Sequence, residues 1–293
     1  MLPRRAPILI RRSLAGLLLL ALPLAAQGER RHETITLELE EGPAITAELR
    51  LPATAGEGPH PAVMLFGGLR SAGDVLDLLP ESQHPIALAS FDYPFEPPHD
   101  LGFPDALRHL PAARRAIFDT LEGIGQLHAA LAAHPEIDAE RITIVGASLG
   151  APFAVIAAAD HDIPGMVAVQ GYGKLATVIS HQFRIRWEPD WGRAGVLAAQ
   201  LLGHGIALWA RLPEPETHAR DLASGQHALL ITAEADRIIP ETASEALWEA
   251  MQASEAKVSR QALPGGHLHS GADGLIRRIY REAIAWKLLA GLL

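Results

Sequence analysis

The chain has no cysteine among its 293 residues. That absence removes disulfides, thiolate metal sites, a cysteine nucleophile and a lipoprotein anchor together. It leaves the compartment open, because exported proteins without disulfides exist. A basic surplus is also missing: the formal net charge is −9. Proteins that track a phosphate backbone are usually basic, so general nucleic-acid binding is excluded. The sequence carries no internal repeat and no low-complexity tract, which excludes solenoid and linker architectures. Beyond the N-terminal segment, no stable membrane span is expected.

What is present is ordinary for a soluble globular protein. Hydrophobic residues make up 48% of the chain and charged residues 20%, which suits one large α/β domain with a substantial core.

The N-terminus has a different character. Arg4, Arg5, Arg11 and Arg12 precede the apolar run from Leu14 to Ala26, and polar Gln27-Gly28-Glu29-Arg30 follows. A basic region, a short apolar run and small residues before a polar switch form the layout of an export signal over residues 1–28. The run is short for a bilayer and Pro23 interrupts it. Cleavage near Ala26 is expected, although Leu24 stands where a smaller residue is usual. The alternatives are an uncleaved membrane anchor and a misplaced start codon. Arg11-Arg12-Ser13-Leu14 loosely resembles a twin-arginine signal without its full motif. The expected location is periplasmic or secreted, or membrane-anchored if the segment is retained. The domain is expected over residues 29–293.

Thr34 to Leu39 and Ala44 to Leu51 alternate polar and apolar residues around Glu41-Gly42-Pro43. Period two around a turn signal predicts an antiparallel hairpin. Ala62-Val-Met-Leu-Phe66 is wholly apolar, as suits a strand buried on both faces of a parallel sheet. Similar runs recur at Ile86 to Phe91, Arg141 to Val145, Met166 to Val169, Ala228 to Thr232 and, less purely, Lys257 to Leu263. Helical segments lie between them, at Pro104 to His134, Ala151 to Asp160, Thr242 to Ala253 and Gly274 to Leu292. The alternation predicts a doubly wound, mainly parallel sheet of eight strands with an N-terminal antiparallel hairpin.

Tyr172 to Gln226 is too long for a simple crossover. It is read as a helical cap insertion over a pocket, or else as a surface excursion with a small core of its own. On the cap reading, Trp187, Trp191 and Trp209 would line a substrate acyl site. Tryptophans in such a segment serve packing as often as they touch substrate.

Gly146-Ala147-Ser148-Leu149-Gly150 follows one apolar run and opens a helix-forming one. It reads G-x-S-x-G, and a serine on a sharp strand-to-helix turn stands exposed above a sheet. A serine hydroxyl is a poor nucleophile at neutral pH and needs a base, normally a histidine oriented by a buried carboxylate. With 14 histidines in the chain, position must select the base. Ala233-Glu234-Ala235-Asp236-Arg237-Ile238-Ile239-Pro240 follows one late strand, and Leu263-Pro264-Gly265-Gly266-His267-Leu268-His269 follows the next.

With these residues the chain resembles α/β-hydrolase-fold serine hydrolases of the esterase and lipase kind, from about Thr34 to the C-terminus. In that family the order is nucleophile, acid, histidine. The acid commonly stands in an Asp-x-x-x-Pro setting, and the histidine stands in a glycine-rich loop after the last strand. The resemblance implies a catalytic triad of Ser148, Asp236 and His267. Glu234 is the competing acid. His269 is the competing base, but Gly265-Gly266 before His267 resembles the family's Gly-His turn. The His-x-His spacing has no further ligand pattern around it, so no metal and no cofactor are expected.

An oxyanion hole needs backbone N–H groups aimed at the tetrahedral oxygen. The residue after the nucleophile, Leu149, supplies one at a helix start. The loop Phe66-Gly67-Gly68-Leu69 supplies the other, from Gly68 or Leu69, with Phe66 standing where the family often has histidine. The Gly-Gly loop and Pro135-Glu-Ile-Asp138 resemble dienelactone-hydrolase-like and acyl-thioester-hydrolase-like members. The expected function is an exported serine hydrolase of a carboxylic ester or thioester, with a small-molecule or acyl ester as substrate. Acyl transfer or peptidase activity on the same triad is the alternative. A noncatalytic binding protein on a hydrolase scaffold is the reading from another class.

Overall fold

The computed structural model describes residues 30–53, 58–68, 71–78, 84–95, 105–269 and 272–293. The export-signal segment and Leu69 lie outside these described residues. One sheet of eight strands forms the body, in the order β1-β2-β4-β3-β5-β6-β7-β8. The strands are β1 Arg31–Leu37, β2 Ile45–Leu51, β3 His60–Phe66, β4 Ala87–Phe91, β5 Ile137–Ala147, β6 Gly165–Val169, β7 His227–Ala233 and β8 Lys257–Leu263. β1 and β2 form the expected antiparallel hairpin, β2 pairs antiparallel with β4, and β4 through β8 are parallel.

The sequence pattern explains which strands are central. Every residue of β3, β4 and β6 is buried, as expected for strands covered on both faces. β8 sits at an edge and alternates exposed with half-buried residues, which is why its apolar signal is impure. β5 begins at Ile137, several residues before its apolar run, because His60 in β3 pairs with Ile137 ahead of a bulge.

Helices cover both faces. α1 is Ala72–Asp77, α2 Leu110–Ala132, α3 Gly150–Asp160, α4 Leu175–Ala210, α5 Pro215–His218, α6 Glu241–Gln252 and α7 Asp273–Ala290. The largest apolar cluster joins Met64, Ile142, Ile144 and Leu230 of the sheet to Leu127 of α2, Phe153 of α3 and Leu247 of α6. On the opposite face, Val63, Leu65 and Leu88 meet Leu76 of α1 and Ile284 of α7, and Val167, Val169 and Ile231 meet Ile279 and Trp286 of α7. α3 is buried almost throughout because it is sandwiched between the sheet and α2 and α5.

The segment from Tyr172 to Gln226 holds α4 and α5. α4 is a helical hairpin: Gly192 has φ 52° and ψ −133°, and the limbs on either side fold together. A Cβ on Gly203 would collide with Ser180, and one on Gly195 with the Trp187 carbonyl, so the glycines set the closeness of the two limbs. The base of the hairpin is tied down. Glu214 and Glu216 accept hydrogen bonds from the amides of Leu175 and Lys174, and Arg114 donates to the Ala210 carbonyl. These partners supply both helix ends with the groups that a helix leaves unsatisfied.

Candidate active site

β3, β5, β6, β7 and β8 all release their chains at the same end of the parallel sheet. The chain leaves β3 for β4 on one side and then crosses back from β4 past β3 to β5 on the other, so the winding reverses between β3 and β5. Crevices outside the carboxyl ends of strands at such a point are where open α/β sheets bind ligands. Gly67-Gly68 follows β3, and Ser148 follows β5, on the two sides of that crevice.

Ser148 adopts φ 53°, a left-handed conformation that is rare outside glycine and concentrated at functional sites. Two features hold it there. Its amide donates to the Val169 carbonyl at 2.9 Å. Gly146 and Gly150 have no side chains, and a Cβ on Gly146 would fall on the Gly150 carbonyl while one on Gly150 would fall on the Phe66 carbonyl. The flanking glycines of the motif thus let α3 cross over β3 and β5 at backbone contact.

The Ser148 Oγ lies 2.8 Å from His267 Nε2, and His267 Nδ1 lies 2.9 Å from Asp236 Oδ2. A carboxylate can only accept, so Nδ1 carries the proton and Nε2 is left to accept from the serine hydroxyl. The other Asp236 oxygen, Oδ1, accepts from the amides of Ile238 at 2.8 Å and Ile239 at 3.0 Å. Burial pushes the Asp236 carboxyl up, but the bonds from His267, Ile239 and Ile238 outweigh it and hold the group below the usual carboxylate range. Asp236 therefore stays anionic at neutral pH.

The two competitors stand elsewhere. Glu234 is exposed, with its amide donating to the Leu263 carbonyl, and His269 is exposed. Leu149 begins the turn into α3, and Gly68 borders open space. Trp187 stacks between Phe183 at 5.1 Å and Trp191 at 5.7 Å along the first limb of α4. Trp191 and Trp209 are more than half exposed. Phe183, Trp187 and Trp191 form one stack on the first limb, and Trp209 lies on the second.

Sequence reading missed Gln170. Its side chain is buried, and its backbone has φ 53° at the end of β6. Its Nε2 donates to the Gly266 carbonyl at 3.1 Å, and its Oε1 accepts from the Leu268 amide at 2.8 Å. One amide group thus grips the backbone on both sides of His267. The signal in the sequence was a lone polar residue directly after an apolar strand. Tyr93 is a second omission. Its hydroxyl donates to the Gly67 carbonyl at 2.7 Å, which fixes the plane of the Gly67–Gly68 peptide and turns the Gly68 N–H away from Tyr93.

Neither a protein-family model nor a curated protein matches the chain. Solved structures do. The acylaminoacyl peptidase of Pyrococcus horikoshii superposes with a TM-score of 0.61 at 15% identity, over 89% of this chain and 41% of that one. Acetyl xylan esterase from a Thermoanaerobacterium species gives a TM-score of 0.54 at 17% identity, over 86% of this chain and 87% of that one. A dienelactone hydrolase from Anabaena variabilis gives 0.55 at 14% identity, over 89% and 98% respectively. These proteins share one architecture, and the strand order, the left-handed serine after β5 and the loops after β7 and β8 place this chain in it: it has the α/β-hydrolase fold.

Proposed function

We propose that the chain is a serine hydrolase that cleaves a carboxylic ester through an acyl-enzyme intermediate. The observation that carries this reading is the hydrogen-bonded line Ser148–His267–Asp236, with the serine on a left-handed turn at a helix start. His267 Nε2 would take the Ser148 proton as Oγ attacks the acyl carbon, then deliver it to the leaving oxygen. Asp236 would hold the ring in the tautomer described and stabilise the imidazolium. Water activated by the same nitrogen would release the acid and restore the serine. The Leu149 amide, with that of Gly68 or Leu69, would face the developing oxyanion, aided by the α3 dipole.

The ester reading has an acetyl xylan esterase and a dienelactone hydrolase beside it in this fold, and the acylaminoacyl peptidase of the same fold carries the amide alternative. The N-terminal segment supports action outside the cytoplasm, which disfavours coenzyme A thioesters. Reaction with a fluorophosphonate probe tests the nucleophile. Label is expected on the folded chain and is expected to vanish in Ser148→Ala. Equal labelling of the two would overturn the reading, and so would hydrolysis of amides in preference to esters of the same acids.

Gln170 provides a test of positioning. Gln170→Leu removes both bonds to the His267 loop and leaves two backbone groups unsatisfied. We expect kcat to fall about tenfold to a hundredfold with KM little changed, because the base is misplaced without loss of substrate contacts. Gln170→Glu keeps the acceptor for the Leu268 amide and is expected to recover part of the rate. A change confined to thermal stability would make Gln170 merely structural.

A further inference from the structure

The second limb of α4 exposes an apolar outer face. Its fully buried positions are small, Gly195, Ala199, Gly203 and Ala210, and Gly195 and Gly203 pack against Trp187 and Ser180 of the first limb. Leu197 at 58%, Leu201 at 68% and Leu208 at 80% exposure share the outer face, with Trp209 beside them, while Val196, Leu202 and Ile206 are half-buried. A helix on a water-facing surface normally shows the opposite arrangement. Small residues between helices and large apolar residues outside are the arrangement of helices surrounded by lipid.

Charge along this limb narrows the partner. Between Arg193 and Arg211 there is no acidic residue, and Gln200 and His204 are the sole polar side chains. A tryptophan lies close to each of these arginines, Trp191 and Trp209, and both are exposed. Aromatic and cationic residues at the two ends of an apolar stretch mark the headgroup level of a bilayer. A second copy presenting the same face would offer Arg193 and Arg211 no opposite charge, whereas lipid phosphates would. The first limb argues against insertion across a membrane, because its outer part exposes Arg184, Arg186, Glu188 and Asp190. No single described helix is long and apolar enough to cross a membrane.

We propose that the outer face of the second α4 limb docks on an anionic lipid surface, with Leu197, Leu201 and Leu208 at the acyl boundary and Arg193 and Arg211 at phosphates. The limb lies in the plane of the interface, as amphipathic helices do. Its first limb bonds directly to the loop after Asp236, through His181 to the Arg237 carbonyl and Gln182 to the Ile238 carbonyl. Docking by this face would therefore hold the candidate active site next to a membrane. The proposal does not depend on which acyl group is cleaved, or on whether Ser148 is a nucleophile.

The absence of native cysteine permits a clean test. A polarity-sensitive fluorophore is attached to the full chain at Leu201→Cys, and separately at Gln252→Cys, an exposed position at the end of α6. Vesicles of phosphatidylcholine mixed with phosphatidylglycerol are titrated against vesicles of phosphatidylcholine alone. The label at 201 is expected to shift to the blue and to be quenched by nitroxide-bearing lipid, more strongly on the anionic vesicles. The label at 252 is expected to do neither. Adding Leu197→Glu and Leu208→Glu to the 201-labelled chain should weaken the response at least tenfold while hydrolysis of a soluble ester is unchanged. Two results would overturn the proposal. In one, the chain binds vesicles through its N-terminal segment while the label at 201 stays in water. In the other, the label is already shielded without lipid and responds to protein concentration, which would assign the face to a second copy.

Discussion

Replacing Ser148 with alanine is expected to lower ester turnover by about four to six orders of magnitude without unfolding the protein. On the proposed mechanism, removal of the hydroxyl would leave His267 with no proton to take and no nucleophile to activate. The fold is expected to tolerate the change, because alanine suffers the same steric opposition at φ 53° as serine does. Ser148→Gly gives an independent reading of that strain. Glycine adopts the left-handed region freely, so this variant should be as inactive as Ser148→Ala yet more stable by about 1 kcal/mol. Denaturant titration of the two variants, alongside turnover of a soluble ester, separates the catalytic loss from the conformational one. Asp236→Asn should also cost several orders of magnitude in kcat while KM stays close to its starting value, since the amide would favour the wrong tautomer of His267. A Ser148→Ala protein that retained more than a few per cent of the rate would remove the serine from the mechanism.

The largest expected effect on stability lies on the other face of the sheet. Lys287 of α7 is 2% exposed and donates to the Thr143 hydroxyl at 2.8 Å. It borders an apolar cavity of about 120 Å³ between the sheet and α7, lined also by Val145, Ala147, Ile284 and Tyr280. Burial, and to a lesser degree the positive charge of Arg141, pushes the amine down to about 7 from its ordinary 10.5. The unfolded chain therefore holds a proton on this group that the folded chain sheds between about pH 7 and pH 10.5. Stability rises with pH wherever the unfolded state binds more protons, so burying Lys287 costs most below about pH 7 and progressively less above it.

The double variant Lys287→Met, Thr143→Val removes the amine and its partner together, with similar volume and no orphaned hydroxyl. It is expected to gain a few kcal/mol at pH 6 to 7, where the charged amine is most costly. The gain should shrink steadily towards pH 10, because the wild-type lysine is then neutral when folded. Urea titrations across that range check both the sign and the slope. A pH-independent gain would mean that packing around the cavity, not charge, sets the difference.

The fold was legible because its signals are local. β3, β4 and β6 are short apolar runs, and a strand buried on both faces has to be apolar throughout. Gly146 and Gly150 marked the elbow, since only glycine avoids the neighbouring carbonyls there. β8 was harder to read because an edge strand buries one face at most. The cap segment was legible as helical, but the bounds of α4 were not. Its apolar periodicity is low, since the second limb exposes Leu197, Leu201 and Leu208 on one side and half-buries Leu202 and Ile206 on the other.

The sequence by itself determined the order of the candidate residues: a serine in a glycine-flanked turn, then an acidic loop, then a glycine-rich histidine loop. Tertiary structure decided which side chains meet. Asp236 rather than Glu234 reaches His267, and His267 rather than His269 reaches Ser148, because pairing of β7 with β8 in one register aims those loops across the sheet edge. Gln170 became visible only when β6 brought it beneath the His267 loop. Lys287 reads as a surface lysine until α7 lays it against Thr143. A residue's type and neighbours fix what it can do, but hydrogen bonds act over about 3 Å, and residues far apart in the chain come that close only after the sheet has formed.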